Sequence, residues 1–260
     1  VDKAERTARA IKAAHEAGET YRNLTGDLAP ADVAAAYEAQ FALHRLHEAE
    51  GRGPLGGRKI ALASKVQQEL CGIDHPVAGG IFASEIMSSP AEIKLSDYSG
   101  LGVEFEMAVK LAVDLTAADA PFDKQSIRGR IAGVHAAFEL IIDRGADYGT
   151  LNALTMIADN AWCGGVVLGP EIPDWQNRDL DALPGTLYWN DDPPVEATTG
   201  LADPLGSLAW VCNLVTERGG VLRAGDIVIT GSVIKTRYPK AGDRMRYDIA
   251  GLSDVSLAIA

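Results

Sequence analysis

Apolar residues in the first fifty positions recur at helical intervals. Ala4, Ala8, Ile11 and Ala14 share one face, and Gly18 closes that run. A second helix is predicted to begin near Pro30, a residue suited to a first helical turn, with Val33, Tyr37, Phe41 and His44 along one face. The glycine-rich stretch EGRGPLGGR (50–58) ends this pattern, and beyond it short apolar runs alternate with turn signals. RKIALAS (58–64), LGVEFEMAVKLAVDL (101–115) and GGVVLG (164–169) read as strands. So do GTLYWN (185–190), DIVITGSV (226–233) and RMRYDIAGLSDVSLAIA (244–260). SIRGRIAGVHAAFELII (126–142) reads as a helix running into a strand, and PLGSLAWVCNLVTERG (204–219) as an amphipathic helix. Helices segregated early and strands clustered late predict an α+β chain rather than a regular βαβ array. The division expected is a helical N-terminal segment over 1–52 and a mixed-β domain over 53–260.

One strand breaks its own pattern. In GVEFEMAVKL (102–111) the apolar face is Val103, Phe105, Met107, Val109 and Leu111, while Glu104 and Glu106 fall together on the other face. Two like charges side by side on a half-buried strand are destabilising unless something positive lies between them. Glu139, in HAAFELIID, is a third carboxylate set among apolar residues. Three carboxylates without a histidine or cysteine cluster suit a hard cation, Mg²⁺ or Mn²⁺ rather than Zn²⁺. Spacing alone does not bring Glu139 to the pair, and a solvated strand face is the competing reading.

Composition narrows the classes. The 260 residues are 47% hydrophobic and 23% charged, enough apolar material for a sizeable core. A net charge of -12 argues against nucleic-acid binding and against an anionic membrane surface, so an anionic ligand needs a local positive site. Cys71, Cys163 and Cys212 are far apart and odd in number, which favours a reducing compartment over a disulfide framework. The polar, amphipathic start and the lack of any apolar run near the roughly 20 residues of a membrane helix make a cytoplasmic location the expectation.

Five segments occur in the order and spacing of one family: GRKIALASKVQQELCGID, GVEFEMAVKL, AAFELII, IADNAWCGGVVLG and AGDIVITGSV followed by KAGDRM. From about Tyr37 onward the chain resembles the 2-keto-4-pentenoate hydratase / 4-oxalocrotonate decarboxylase branch of the fumarylacetoacetate hydrolase superfamily. The resemblance implies a mixed β-sheet roll around a metal site, with Mg²⁺ (or Mn²⁺) held by Glu104, Glu106 and Glu139. It implies that Lys59 is the catalytic cation, and that the turn Thr230–Gly231–Ser232 offers donors to a substrate carboxylate, where an ordinary tight turn is the even alternative. The expected reaction is addition of water to a 2-hydroxy-2,4-dienoate or 2-oxo-alkenoate through an enolate. Decarboxylation of a vinylogous 2-oxo diacid is the alternative, followed by acylpyruvate C–C hydrolysis; the reading from another class is an inactive homologue that binds a small acid. A 2-oxo acid substrate and a homo-oligomeric assembly are the expected partners.

Several positions depart from the pattern. Val77 stands where hydratases of this branch commonly carry an acidic residue, which removes a candidate general acid/base and suits a decarboxylase better. Trp162 replaces the small hydroxyl residue usual after DNA, and a ring of that size narrows or reshapes a pocket. The basic run after the turn, with Lys235, Arg237 and Lys240, is either a solvated loop or a site for a second carboxylate. Asp159 and Asn160 are expected to fix a loop through side-chain to backbone bonds rather than to do chemistry.

Overall fold

The computed structural model describes residues 2–260. Two helices lead the chain, α1 (Lys3–Glu16) and α2 (Val33–Ala49). Asp2 caps α1 by accepting from Glu5 N at 2.8 Å. The second helix begins three residues after Pro30, because Asp32 supplies its cap and accepts from Ala35 N at 2.8 Å. There follow β1 (Leu55–Ala61), α3 (Lys65–Cys71), β2 (Val77–Phe82), β3 (Ile86–Ser88), β4 (Ala91–Ile93) and β5 (Leu101–Leu111). A short capped helix, α4 (Lys124–Arg128), turns into β6 (Ile131–Ile142), so the predicted helix-to-strand join falls at residues 129–130. Then come α5 (Ala153–Ala158), β7 (Cys163–Glu171), β8 (Pro184–Trp189), β9 (Val195–Thr198) and α6 (Pro204–Glu217). The single strand expected over 226–233 is instead β10 (Ile227–Ile229) and β11 (Ile234–Arg237), parted by a turn that leaves the ladder. The chain closes with the hairpin β12 (Arg244–Ile249) and β13 (Ser253–Ile259).

Among the described residues the strands form two mixed sheets. The larger runs β2-β1-β10-β5-β6-β7-β3 with β11 also on β5, and the smaller runs β4-β13-β12-β8-β9. The pairs β1–β10, β3–β7 and β4–β13 are parallel, and the rest are antiparallel. Alternation along β5 decides which side faces what. Val103, Phe105, Met107 and Val109 join the main core with Tyr247, Val255 and Leu257 of the smaller sheet. The opposite, inner face carries a smaller apolar group that includes Ala108, Ala137, Val166 and Ile229, together with the glutamates. The fold is a mixed β roll with a helical N-terminal segment, the architecture that the resemblance implies.

The N-terminal helices are stitched to the inner strands by buried polar contacts. Gln40 Nε2 donates to Ala78 O at 2.8 Å and to Ile157 O at 2.7 Å, and Ala78 N donates to the Tyr37 hydroxyl at 3.0 Å. His44 Nε2 lies 2.7 Å from Asn160 Oδ1, which makes Nε2 the protonated nitrogen of a neutral ring. Burial pushes the His44 imidazole down from 6.5 to about 3, against the hydrogen bond to Asn160. Between those two values the unfolded chain binds a proton that the folded chain refuses, so stability is complete above pH 6.5 and is lost as pH falls toward 3. His44 alone is expected to contribute about 1.4 kcal/mol of stability loss per pH unit inside that window. Urea unfolding at pH 6.5 and pH 4.5 checks this: His44→Gln, which keeps a donor toward Asn160, is expected to lose about 2–3 kcal/mol less than the wild type over the interval. Parallel pH profiles would show that the ring does not stay neutral.

Candidate active site

The antiparallel register of β5 and β6 sets Glu104 directly opposite Glu139, and Glu106 opposite Ala137. All three carboxylates therefore project from the same face of the larger sheet. Each offers an oxygen within 4.8 Å of the others. Glu106 and Glu139 are fully buried, and Glu106 Oε1 and both oxygens of Glu139 have no hydrogen-bond partner. Burial, then the charges of Glu139 and Glu104, push the Glu106 carboxyl well above its ordinary range. Burial also raises Glu139, an effect that Lys59 opposes.

Lys59, on β1, supplies the facing cation and is 2% exposed. Its Nζ lies 2.8 Å from Glu139 Oε1, off the direction of a hydrogen bond, and donates to Ala161 O at 3.0 Å. Burial alone would depress this ammonium, but Glu139 and Glu104 outweigh it and hold it above its usual value. Lys59 is thus a fixed positive charge at neutral pH. One ammonium against three carboxylates leaves two negative charges, the amount a divalent ion neutralises. The donor set is all oxygen, the orphaned atoms are lone-pair acceptors, and their separation matches ligands around one hard cation, roughly 3–5 Å apart.

Two of the remaining carboxylate oxygens are held by the chain. Gly231 N donates to Glu106 Oε2 at 2.7 Å, from a backbone with φ +115° that a side chain would strain. Thr236 Oγ1 donates to Glu104 Oε1 at 2.5 Å. Gly231 and Ser232 line a cavity of about 170 Å³ beside the triad, together with Lys59, Glu104 and Thr236. Thr230 does not: it is fully buried, and its hydroxyl donates to Met107 O at 3.0 Å. The Ser232 hydroxyl donates to Ile234 O at 2.7 Å and accepts from Phe105 N at 3.0 Å.

A left-handed turn completes the lysine's surroundings. Asn160, Ala161 and Trp162 all have positive φ, at 54°, 47° and 61°, a conformation that costs about 1–2 kcal/mol per non-glycine residue. Asn160 compensates by clamping β2: Nδ2 donates to Gly80 O at 2.9 Å and Oδ1 accepts from Gly80 N at 2.6 Å. A Cβ on Gly79 would lie 2.5 Å from Asn160 O, so only glycine lets the turn approach so closely. The expectation that Asn160 fixes a loop through backbone bonds describes these contacts, whereas Asp159 is ion-paired to Arg144 and hydrogen-bonded to His15 Nε2 at 2.5 Å. Trp162 forms part of the cavity wall. Val77 does not line the cavity; it is buried in the apolar cluster that also holds the wall residues Leu62, Cys71 and Trp162. His75 also lies away from the cavity, with Nδ1 2.7 Å from Pro76 O. Tyr148 was given by no local motif. It lines the cavity and its hydroxyl donates to Asp143 Oδ2 at 3.1 Å.

A mixed β roll with an inward carboxylate triad, a buried lysine and a small cavity defines a class of protein that handles small acids. The chain belongs to the fumarylacetoacetate hydrolase family: residues 75–259 match the family described as fumarylacetoacetate (FAA) hydrolase C-terminal. It is 31% identical to 2-keto-4-pentenoate hydratase 1 of Dechloromonas aromatica (strain RCB), over 98% of this chain and 97% of that protein. It is 28% identical to 2-hydroxyhexa-2,4-dienoate hydratase of Comamonas testosteroni, over 92% of this chain and 90% of that one. Among solved structures, 4-oxalocrotonate decarboxylase from Pseudomonas putida G7, complexed with magnesium and adipate, superposes with a TM-score of 0.88 at 23% identity, covering 99% of this chain and 97% of that one. No helix among the described residues is long and apolar enough to cross a membrane.

Thermal unfolding tests the triad without reference to catalysis. Mg²⁺ at about 100 times its dissociation constant is expected to raise the midpoint by about 5–10 °C over that in EDTA. Glu106→Gln is expected to abolish this increment and to leave the metal-free midpoint equal or higher, because one of three repelling charges is gone. A wild-type midpoint that ignores Mg²⁺ and Mn²⁺ alike would remove the triad as a metal centre.

Proposed function

We propose that this chain is a divalent-metal-dependent hydratase that adds water to a 2-hydroxy-2,4-dienoate or 2-oxo-alkenoate. The observation that carries the reading is the triad Glu104, Glu106 and Glu139, two of them buried, facing the Lys59 ammonium at the edge of a small cavity. The hydratase names of relatives near 30% identity over nearly the whole chain support the reaction type, and the decarboxylase likeness, at 23% identity, supports the fold.

Glu104, Glu106 and Glu139 would hold the ion, Mg²⁺ or Mn²⁺, which when bound draws negative charge off the carbon skeleton of a 2-oxo acid as a Lewis acid. The chain's own residues do the rest. Gly231 N and Thr236 Oγ1 fix two of the carboxylate oxygens, so the triad keeps its shape when a ligand enters. Lys59 places an N–H donor beside the site, where an enolate oxygen or carboxylate of the substrate develops negative charge. Its Nζ, 3.0 Å from Ala161 O and 2.8 Å from Glu139, is placed to act as a donor and electrostatic stabiliser. Protonation of the dienol at its terminal carbon gives a 2-oxo-3-enoate; water then adds at C4, a proton returns to C3, and the product is a 4-hydroxy-2-oxo acid.

With Mg²⁺ and 2-hydroxypenta-2,4-dienoate, the expected product is 4-hydroxy-2-oxopentanoate, followed by loss of the dienoate absorbance and by product analysis. Lys59→Met is expected to lower kcat by about 10²–10⁴-fold while keeping the thermal shift with Mg²⁺. Carbon dioxide released from 2-oxohex-3-enedioate, with no hydration of the dienoate, would turn the assignment to a decarboxylase.

A further inference from the structure

We propose that a second cavity, walled by the N-terminal helices and the 159–163 segment, binds a small oxyanion, tetrahedral or carboxylate, through His47, Arg52 and Arg144. The site is separate from the triad, and the inference does not depend on the hydratase reading.

This cavity measures about 190 Å³ and shares only Trp162 with the one beside the triad. Its basic side chains come in two pairs. His47 and Arg52 both lie against Phe82, the imidazole edge-on at 5.7 Å and the guanidinium over the ring at 4.5 Å. His15 and Arg144 both hold Asp159: His15 Nε2 is 2.5 Å from Oδ1, and Arg144 Nη2 donates to Oδ2. All four line the cavity.

Each guanidinium commits one part to a carboxylate and leaves the rest open. Arg52 donates to Glu85 Oε1 through Nε, at 2.9 Å, and through Nη2. Among the described residues nothing accepts from Arg52 Nη1. Arg144 donates through Nη2 alone, so its Nε and Nη1 are uncommitted although the side chain is 8% exposed. His47 has no hydrogen-bond partner among the described residues. Both oxygens of Asp159 are already taken, and Asp97, the other carboxylate of the wall, is exposed. Holding α1 and α2 in place accounts for the bonded atoms of these pairs but not for the open ones. A wall of uncommitted N–H groups matches a ligand that only accepts, and guanidinium contacts to oxyanions are the strong kind. The chain's net charge of -12 opposes anions at long range, and a local cluster of basic groups is what overcomes it.

Charge balance makes the binding pH-dependent. Glu85 and Asp159 already neutralise the two guanidiniums, so the ligand's charge falls to the imidazoles. Burial, then Arg52, His15 and Lys12, push the His47 ring down to about 4, against Glu50. Glu16 and Glu50 are themselves bound to Lys12, at 2.5 and 2.8 Å. His47 is therefore neutral in the empty cavity, and an anion beside it favours the protonated ring. Anion binding and proton uptake are then linked, and affinity rises as pH falls.

The test is calorimetry in EDTA, which leaves the triad to repel anions, with sulfate as the tetrahedral probe and malonate as the carboxylate. Chloride matches the ionic strength. At least one probe is expected to bind with a dissociation constant of about 0.1–1 mM, and the tighter one assigns the ligand class. Binding is expected to be about threefold or more tighter at pH 6.5 than at pH 8. Arg52→Gln is expected to weaken it about tenfold, and His47→Gln to weaken it and flatten its pH dependence. His47 is half-buried on a helix, so its variant serves where the Arg52 variant does not fold. Lys59→Met is expected to leave the affinity unchanged, which separates this site from the triad. Failure of both probes to bind overturns the inference, and so does binding that both folded variants leave unchanged, the mark of an adventitious ion only. Affinity that is level from pH 6.5 to 8 overturns the role of His47. None of these results bears on the hydratase reading.

Discussion

The register of one strand pair governs this molecule. With Glu104 opposite Glu139 and Glu106 two residues along, the β5–β6 ladder brings three carboxylates to one spot on the inner face of the roll. Two of them are sealed from water, and buried charge is tolerated only when it is paired or neutralised by a partner. Lys59 neutralises one unit. The Gly231 N–H and the Thr236 hydroxyl each bind one oxygen, of Glu106 and of Glu104, while Glu106 Oε1 and both Glu139 oxygens have no hydrogen-bond partner. Such an arrangement is unfavourable for the chain alone, which is the usual relation between stability and a preorganised site.

That unfavourable centre explains features with no other purpose. The three-residue left-handed turn at 160–162 is strained, yet it delivers the Ala161 carbonyl to the lysine and so fixes the ammonium within reach of Glu139. The strain is offset by two hydrogen bonds between the Asn160 amide and Gly80 and by a third contact to His44. Because His44 lies on α2, the N-terminal helices support Lys59 through a short chain of polar contacts, His44 to Asn160, then through the turn to Ala161 and Lys59. Removing those helices would therefore loosen the site rather than merely trim a surface.

Legibility followed the physics of exposure. The β12–β13 hairpin, with one wet and one dry face, announced itself by alternation, and β5 by a long apolar run broken by its glutamates. β2, VAGGIF, is buried on both faces, so it has no alternation to read, and β3, β4 and β9 are too short to show one. Of the candidate site, the Glu104–Glu106 pair was visible as a period-two clash of charge. Glu139 was visible as a carboxylate among apolar residues, but its place beside the pair, like the role of Lys59, came only through family resemblance, because their proximity depends on register and on the curl of the sheet. Thr236 and the Ala161 carbonyl left no trace in the sequence: one is an ordinary strand residue and the other is backbone. The departures at Val77 and Trp162 looked equivalent as letters. In three dimensions Trp162 stands in the cavity wall, and Val77 is buried in the same apolar cluster without lining the cavity.

The two walls of the cavity come from different parts of the chain, and this separates two properties. Charge chemistry is set by β1, β5, β6 and the 230–236 segment, whose residues hold each other through ion pairs and hydrogen bonds. The apolar wall is set by α3, the 148–162 segment and Leu62, whose side chains touch mainly one another. Substitution in the first set breaks a network in which every member depends on the rest, and interactions of that kind are far from additive. The second set is an apolar surface, where volume-conserving exchanges are tolerated at modest cost. A scaffold so divided can keep one way of stabilising negative charge and change which tail it admits, which is how function varies on a retained fold. Trp162 sits at the seam: its ring belongs to the variable wall and its backbone to the turn that fixes Lys59, so here a change of tail cannot be wholly independent of the chemistry.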